Sequence, residues 1–132
     1  MQVTSMQDQE CFLTRFCDLD DAVVHQVDFF YLPGGNEVSI LIESPDSHSE
    51  SGWSNLTLKL SGVTHFSLRE GRTTCVVVSP LGLQILLADN HVCLAFDSSS
   101  ELSAMDEFKS CDFYVIAKSL LFSATPLRVK KE

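Results

Sequence analysis

The chain has 132 residues, which suits one domain of ordinary size, and 45% of them are hydrophobic and 20% charged. This composition is too apolar for a disordered protein, and no apolar run approaches the roughly 20 residues that a membrane-spanning helix requires. The first ten residues have neither a basic start nor an apolar stretch, so they do not resemble a secretory signal. The sequence therefore predicts a cytoplasmic protein that folds as a single globular domain over residues 1–132.

The formal net charge of −9 is concentrated in the first part of the chain. Residues 1–50 hold ten carboxylates and one base, Arg15, whereas residues 51–132 hold eight acids and eight bases. An acidic surface repels nucleic acids and anionic membranes, and it attracts basic proteins. We therefore expect a basic protein as partner, and neither a nucleic acid nor a membrane. The alternative is that the carboxylates only keep the protein soluble.

The N-terminal segment, residues 1–20, predicts a helix followed by an acidic loop. Ser5 and Asp8 suit the start of a helix, and Phe12 and Phe16 lie one turn apart on one side of it. We expect this apolar stripe to pack on a sheet. The carboxylates after Cys17 are disfavoured at a helix C-terminus, so they are predicted to lie in the following loop.

From residue 22 onwards the hydrophobic period changes to two, which is typical of β-strands separated by Gly, Pro, Asn and Asp turns. The strands are predicted over residues 22–31, 37–44, 56–61, 63–68, 73–79, 83–87, 91–96 and 112–125. The last of these is long enough to bend and to serve two sheets. Residues 45–54 predict an exposed loop, Ser100 is a candidate cap for a helical turn that ends at Phe108, and residues 127–132 predict a frayed tail.

These elements predict a mainly β fold of the α+β class. We expect an antiparallel β-sandwich or a curved sheet of about seven or eight strands with an N-terminal helix. A parallel α/β fold is excluded because the sequence has no series of long amphipathic helices between its strands. The cleanest strand holds Leu56, Leu58 and Leu60, which alternate with polar residues and so predict one buried face.

The sequence contains no motif of a nucleotide-binding loop or of a serine hydrolase. The cysteine count of five is odd and shows no C-x-x-C spacing, so we expect free thiols, with Cys75 and Cys93 buried in strands. His91 and Cys93 alternate on one strand, but one such pair does not make a zinc site. We therefore predict a protein with no catalytic residues, no cofactor and no metal.

Candidate partner-binding residues come from the acidic part of the chain and from the single tryptophan. They are Asp18, Asp20, Asp21, Asp28, Glu37 and Trp53. The carboxylates would supply much of the field that attracts a basic partner. Trp53 either covers a sheet edge or anchors an interface.

Three segments carry a resemblance to known proteins. They are Asp21-Ala22-Val23 at the first strand, Gly62-Val63-x-x-Phe66-Ser67-Leu68 in the middle, and Ser110-Cys111-Asp112-Phe113-Tyr114-Val115 near the end. Over roughly residues 20–122 the chain resembles small β-rich bacterial proteins grouped with the immunity proteins of polymorphic toxin systems. The resemblance implies a non-enzymatic protein that binds and blocks a cognate toxin, and it carries over no functional residues.

Two other classes of function compete with partner binding. The first is a small-molecule-binding module or weak enzyme, with a cavity between sheet and helix lined by His25, Asp21 and Tyr31. The second is a homo-oligomerising structural protein, in which an exposed strand edge pairs across a two-fold axis to give a homodimer.

Overall fold

The computed structural model describes residues 2–3, 5–19, 22–68, 76–77, 83–88, 90–96, 102–111 and 113–127. The elements are helices α1 (Met6–Arg15) and α2 (Met105–Phe108) and strands β1 (Val23–Phe30), β2 (Glu37–Pro45), β3 (Trp53–Ser61), β4 (His65–Leu68), β5 (Val76–Val77), β6 (Gln84–Ala88), β7 (His91–Ala95), β8 (Phe113–Ala117) and β9 (Ser119–Pro126). Neither of these helices is long and apolar enough to cross a membrane. The predicted fold class, mainly β with an N-terminal helix, is confirmed.

The strands form two antiparallel sheets. The large sheet has the strand order β5-β1-β2-β3-β9, and the small sheet has the order β4-β8-β7-β6. Side chains from both sheets meet in one apolar core, which contains Ile40, Leu58 and Phe122 of the large sheet and Leu94 and Val115 of the small sheet. Of the two predicted architectures, the chain therefore adopts the β-sandwich.

Two strands pass from the large sheet to the small sheet at one shared corner. β3 pairs with β9 in the large sheet, and their continuations β4 and β8 pair in the small sheet. The corner lies at Gly62, whose φ is +65°, and at Lys118, whose N–H donates to the carbonyls of Ser61 and Gly62 at 3.0 and 3.2 Å. The left-handed φ favours glycine at this position. The prediction that the final strand bends to serve both sheets is confirmed.

Helix α1 packs between the edge strands β9 and β6. Phe12 and Phe16 are buried, and their ring centroids lie 4.8 and 5.7 Å from that of Phe122 on β9. Gln9 Nε2 donates to the Ile85 carbonyl on β6 at 3.0 Å. The predicted apolar stripe of the helix thus closes the gap between the sheets.

Residues 102–111, which include α2, cover the outer face of the small sheet. The Phe108 side chain is fully buried against Cys93, Ala95 and Ile116, and together they form a second, smaller core. Strand β7 is consequently buried on both of its faces.

Two predictions for the connections are wrong, and two further predictions concern residues that lie mostly outside the described ranges. Helix α2 begins after Ala104, which makes no side-chain cap, and not after Ser100. The stretch 45–54 is not an exposed loop throughout, because Asp46 and Ser54 are buried. Of the predicted strand 73–79 only β5 is described, and of the predicted frayed tail 127–132 only Leu127 is described.

Candidate functional site

Side chains alternate across β2 and β3, so that one set faces the core and the other faces outward. The inward residues, such as Ile40 and Leu58, are fully buried. The outward residues of the large sheet are half-buried or exposed and form an accessible surface, which we call the open face. It contains Gln26, Asp28, Phe30, Glu37, Ser39, Leu41, Glu43, Trp53, Asn55, Thr57, Lys59, Leu121 and Ser123.

A β-bulge at His25 decides which residues of β1 join the open face. The register with β2 shifts between Val24 and Gln26, so that Val24 and Val27 both face inward. Simple alternation from Val24 would have turned Asp28 towards the core. The bulge instead places Asp28 opposite Ser39 on the open face.

The carboxylates of the open face make few and weak contacts. Asp28 accepts a hydrogen bond from Gln26 Nε2 at 2.7 Å. Glu37 accepts one from Ser61 Oγ at 3.3 Å and lies 3.5 Å from Lys59 Nζ, in a pair whose lysine is 54% exposed. Such exposed pairs contribute little, typically about 0–1 kcal/mol.

Glu43 is the third carboxylate of the open face, and its partner is a histidine. Glu43 Oε2 lies 3.6 Å from Nε2 of His25, and both side chains are about half exposed. The described part of the open face carries three carboxylates, Asp28, Glu37 and Glu43, and one lysine, Lys59, so it is acidic.

Three of the predicted partner-binding residues share the open face. Asp28 and Glu37 lie near one end, and Trp53 lies opposite Pro45 at the other end. Glu37 and Pro45 are the two ends of β2, about 26 Å apart at ~3.3 Å per residue. Trp53 is 37% exposed. Because β2 and the chain around Leu127 flank it on both sides, it does not cover a sheet edge.

Asp18, another predicted partner-binding residue, does not join this set. It lies in the turn Cys17–Leu19 after α1, with a left-handed φ of 56°. Its carbonyl accepts a hydrogen bond from the Leu83 N–H at 2.8 Å, which ties the turn to the start of β6, while its side chain is exposed. Asp20 and Asp21 lie outside the described residues, so their role stays a prediction.

A buried carboxylate, which sequence reasoning missed, organises the loop between β2 and β3. Asp46 accepts hydrogen bonds from Arg15 Nε and Nη2 at 3.0 and 3.2 Å, from Ser54 Oγ at 2.6 Å and from the His48 N–H at 2.9 Å. Burial by itself raises the pKa of a carboxyl, but these hydrogen bonds outweigh it and lower the pKa of Asp46 to about 2. The cluster holds the end of α1 against the loop, which is a structural role.

A groove of about 390 Å³ opens between β1 and β4, beside the β1–β2 hairpin. Its lining residues are Phe29, Tyr31, Asn36, Val63, Thr64, His65 and Phe66. The Phe29 ring centroid lies 4.7 Å from that of Tyr31 and 5.5 Å from that of Phe66. Tyr31 is 84% exposed, so the groove has an accessible aromatic wall.

Two residues of the predicted cavity, His25 and Tyr31, do not meet in the structure. His25 faces Glu43 at the start of β1. Tyr31 lines the groove six residues further on, about 20 Å away along an extended chain. Asp21 lies outside the described residues. The space between helix and sheet is filled instead by phenylalanine rings.

The thiols and histidines form no metal centre within the described ranges. No group of three or more His, Cys, Asp or Glu there could hold a metal ion. Cys11 and Cys17 are exposed free thiols, as predicted, whereas Cys93 is fully buried. Cys75 lies outside the described residues.

The edge of the large sheet at β9 bears on the homodimer alternative. The Val3 N–H donates to the Leu120 carbonyl at 3.0 Å, and Gln2 forms a β-bridge with Leu121. The N-terminal segment therefore occupies part of the edge that a second copy of the chain would pair with.

The fold and the open face together define a class of protein, a β-sandwich domain with an accessible acidic sheet surface. No family model, no curated protein and no solved structure matches the chain.

Proposed function

We propose that the protein is a non-enzymatic binding domain that docks a basic protein on the open face of the large sheet. The observation that carries the proposal is the placement of Asp28 and Glu37 on adjacent strands of that face. Phe30 pairs directly with Glu37 and follows Asp28 on the same side of β1. Two carboxylates therefore flank an aromatic ring that is 43% exposed.

Electrostatics favours a basic partner for this surface. Lys59 is 54% exposed and its Nζ lies 3.5 Å from Glu37, so a partner's lysine or arginine can compete with Lys59 for this carboxylate at small cost. Asp28 accepts a hydrogen bond from the neutral amide of Gln26, and among the described residues no cationic side chain pairs with its negative charge. Opposite charges across an interface mainly speed association and select the partner.

The open face also offers the apolar contacts that an interface needs. Phe30, Trp53 and Leu121 are 43%, 37% and 39% exposed. A depression of about 300 Å³ lies over β3 and β9, lined in part by Thr57, Lys59 and Leu121. Aromatic residues are enriched among the side chains that dominate binding energy, and a polar rim around them is typical of protein interfaces.

The proposed partner is a basic toxin domain, which the protein binds and blocks. The sequence resemblance to immunity proteins of polymorphic toxin systems supports this choice, and so does the concentration of negative charge in residues 1–50. In this proposal the protein acts in the cytoplasm, and it blocks the toxin by covering it.

Capture from the native host tests the proposal with three immobilised baits. They are the wild-type protein, the double variant Asp28→Lys/Glu37→Lys, and the control Asp106→Lys. Asp106 is a carboxylate of α2 with a 95% exposed side chain, on the segment that covers the other sheet. We expect the wild type and the control to retain the same basic protein at low salt, and the double variant to lose it.

Co-expression with the captured protein then tests the inhibitory role. The captured protein should slow growth when expressed alone, and the wild-type domain should restore growth. A partner retained equally by all three baits and at high salt would contradict the proposed face. A captured protein whose expression is harmless would contradict the toxin assignment.

A further inference from the structure

We infer that the groove between β1 and β4 binds the guanidinium group of an arginine side chain that the basic partner presents. The inference rests on the proposed function and deepens it, because it names a second contact and the residue type that fills it. The groove opens between the two sheets, whereas Asp28 and Glu37 lie on the open face.

The aromatic wall of the groove is the first argument for a cation. The Phe29 ring packs against both Tyr31 and Phe66, with centroid separations of 4.7 and 5.5 Å. The faces of aromatic rings attract cations, and a planar guanidinium also stacks on them. Tyr31 is the most exposed large apolar residue of the described chain at 84%, so its ring is accessible to a ligand.

Polar residues among those that line the groove suit the donors of a guanidinium. Thr64 Oγ1 donates to the Ile116 carbonyl at 3.3 Å and lies 3.1 Å from His65 Nδ1. With His65 as the donor in that contact, the threonine oxygen keeps one lone pair for a ligand. Asn36 also lines the groove, and its side-chain amide contains a carbonyl oxygen that can accept a hydrogen bond. Guanidinium carries only donors, five N–H groups in a planar fork.

Charge is the second argument. The lining residues that the structure describes include no lysine or arginine that would repel a cation. Asp28 and Glu37 adjoin the lining residues Phe29 and Asn36 in the chain, and their side chains face the open face, so their negative charges draw a basic partner to the end of the large sheet where the groove lies. The same partner can therefore be attracted to the open face and to the groove.

The test uses a small probe and does not require the partner. N-acetylarginine N-methylamide is titrated into labelled protein, and the ring signals of Phe29, Tyr31 and Phe66 are followed by NMR. The matched control is the citrulline counterpart, which has nearly the same shape but no charge. We expect saturable shifts for the arginine probe, with a dissociation constant in the millimolar range because so small a ligand has few contacts, and no saturable shifts for citrulline.

A pair of variants locates the site. Tyr31→Ala removes an exposed ring of the wall and should weaken the arginine probe about 2–5-fold, the worth of one exposed cation–π contact. Leu32→Ala removes the neighbouring side chain, which is 48% exposed and does not line the groove, and should leave the dissociation constant unchanged.

Three results would overturn the inference. They are equal binding of the citrulline probe, an unchanged dissociation constant for Tyr31→Ala, and shifts confined to residues around Asp28 and Glu37. The capture experiment tests the open face and not the groove. Salt-sensitive capture that depends on Asp28 and Glu37 can persist when the groove fails to bind arginine. Conversely, probe binding in the groove can persist when capture fails.

Discussion

The outer faces of the two sheets differ although the strands that build them share the same geometry. On the large sheet, β3 alternates between buried leucines and accessible polar residues, so its outer face is open to partners. On the small sheet, Phe108 of α2 packs on Cys93 and Ala95 of β7, and the outer face becomes a second core.

This difference separates the residues that stabilise the fold from those that are available for binding. Small side chains at Cys93 and Ala95 let α2 approach the small sheet closely, and the apolar contact stabilises both. The open face carries Asp28, Glu37 and Lys59, whose removal leaves no buried polar group behind. We therefore expect substitutions on the two faces to affect different measurements.

The largest effect is expected from the covered face. Phe108→Ala should lower the free energy of unfolding by about 3–5 kcal/mol, because a fully buried ring is removed and a cavity remains. Urea denaturation measures this change. Asp106→Ala in the same helix is the control, and it should leave the free energy of unfolding almost unchanged. A loss for Phe108→Ala as small as that of the control would show that α2 does not cover the small sheet.

A second pair of variants sharpens the contrast within one strand of the large sheet. Leu58 is fully buried, so Leu58→Ala should cost about 2–5 kcal/mol. Lys59 lies on the open face, and Lys59→Ala should cost less than about 0.5 kcal/mol. Urea denaturation of both variants is decisive, since equal midpoints would mean that β3 has no buried face.

The pH dependence of stability tests the loop that joins β2 to β3 beside Trp53. The folded pKa of Asp46 is lowered from 3.8 to about 2, so its contribution is fully present above pH 3.8 and is lost as the pH falls through 2. The shift corresponds to about 2 kcal/mol. The stability difference between wild type and Asp46→Asn should shrink by that amount between about pH 7 and about pH 2. A difference that does not change with pH would contradict the cluster.

The smallest stability effect concerns the corner through which the two sheets share their strands. Gly62→Ala forces a side chain into a left-handed φ of +65° and to 3.0 Å from Lys118 carbons. We expect a loss of about 1–2 kcal/mol, measured by thermal unfolding. Gly34→Ala is the control, because no atom lies within 4 Å of the added carbon. Equal melting temperatures for the two variants would contradict the bend at Gly62.

Much of the fold could be predicted because its signals are local. The alternation of Leu56, Leu58 and Leu60 sets the buried face of β3, and the turn after Leu32 sets the first hairpin. The length of the final segment indicated a strand shared by both sheets. Such patterns depend only on neighbouring residues, so one sequence is enough to read them.

The features that could not be predicted depend on distant residues or on a single local irregularity. Asp46 lies in a polar stretch and is buried only because Arg15, 31 residues earlier, donates to it. The bulge at His25 reverses the faces of the following residues, and this brought Asp28 to the open face. The groove depends on contact between Phe29 and Phe66, which belong to different sheets.

The rate of association with the captured partner tests the central claim, that the open face is the binding surface, most directly. Association is followed by stopped-flow mixing, with Trp53 fluorescence as the signal, at low and high salt. Three proteins are compared: the wild type, Asp28→Lys/Glu37→Lys and Asp106→Lys/Glu107→Lys. We predict that the first double variant associates about 10-fold or more slowly at low salt. The second should match the wild type, and both should keep the stability of the wild type. Equal association rates for the two double variants would contradict the assignment of the open face.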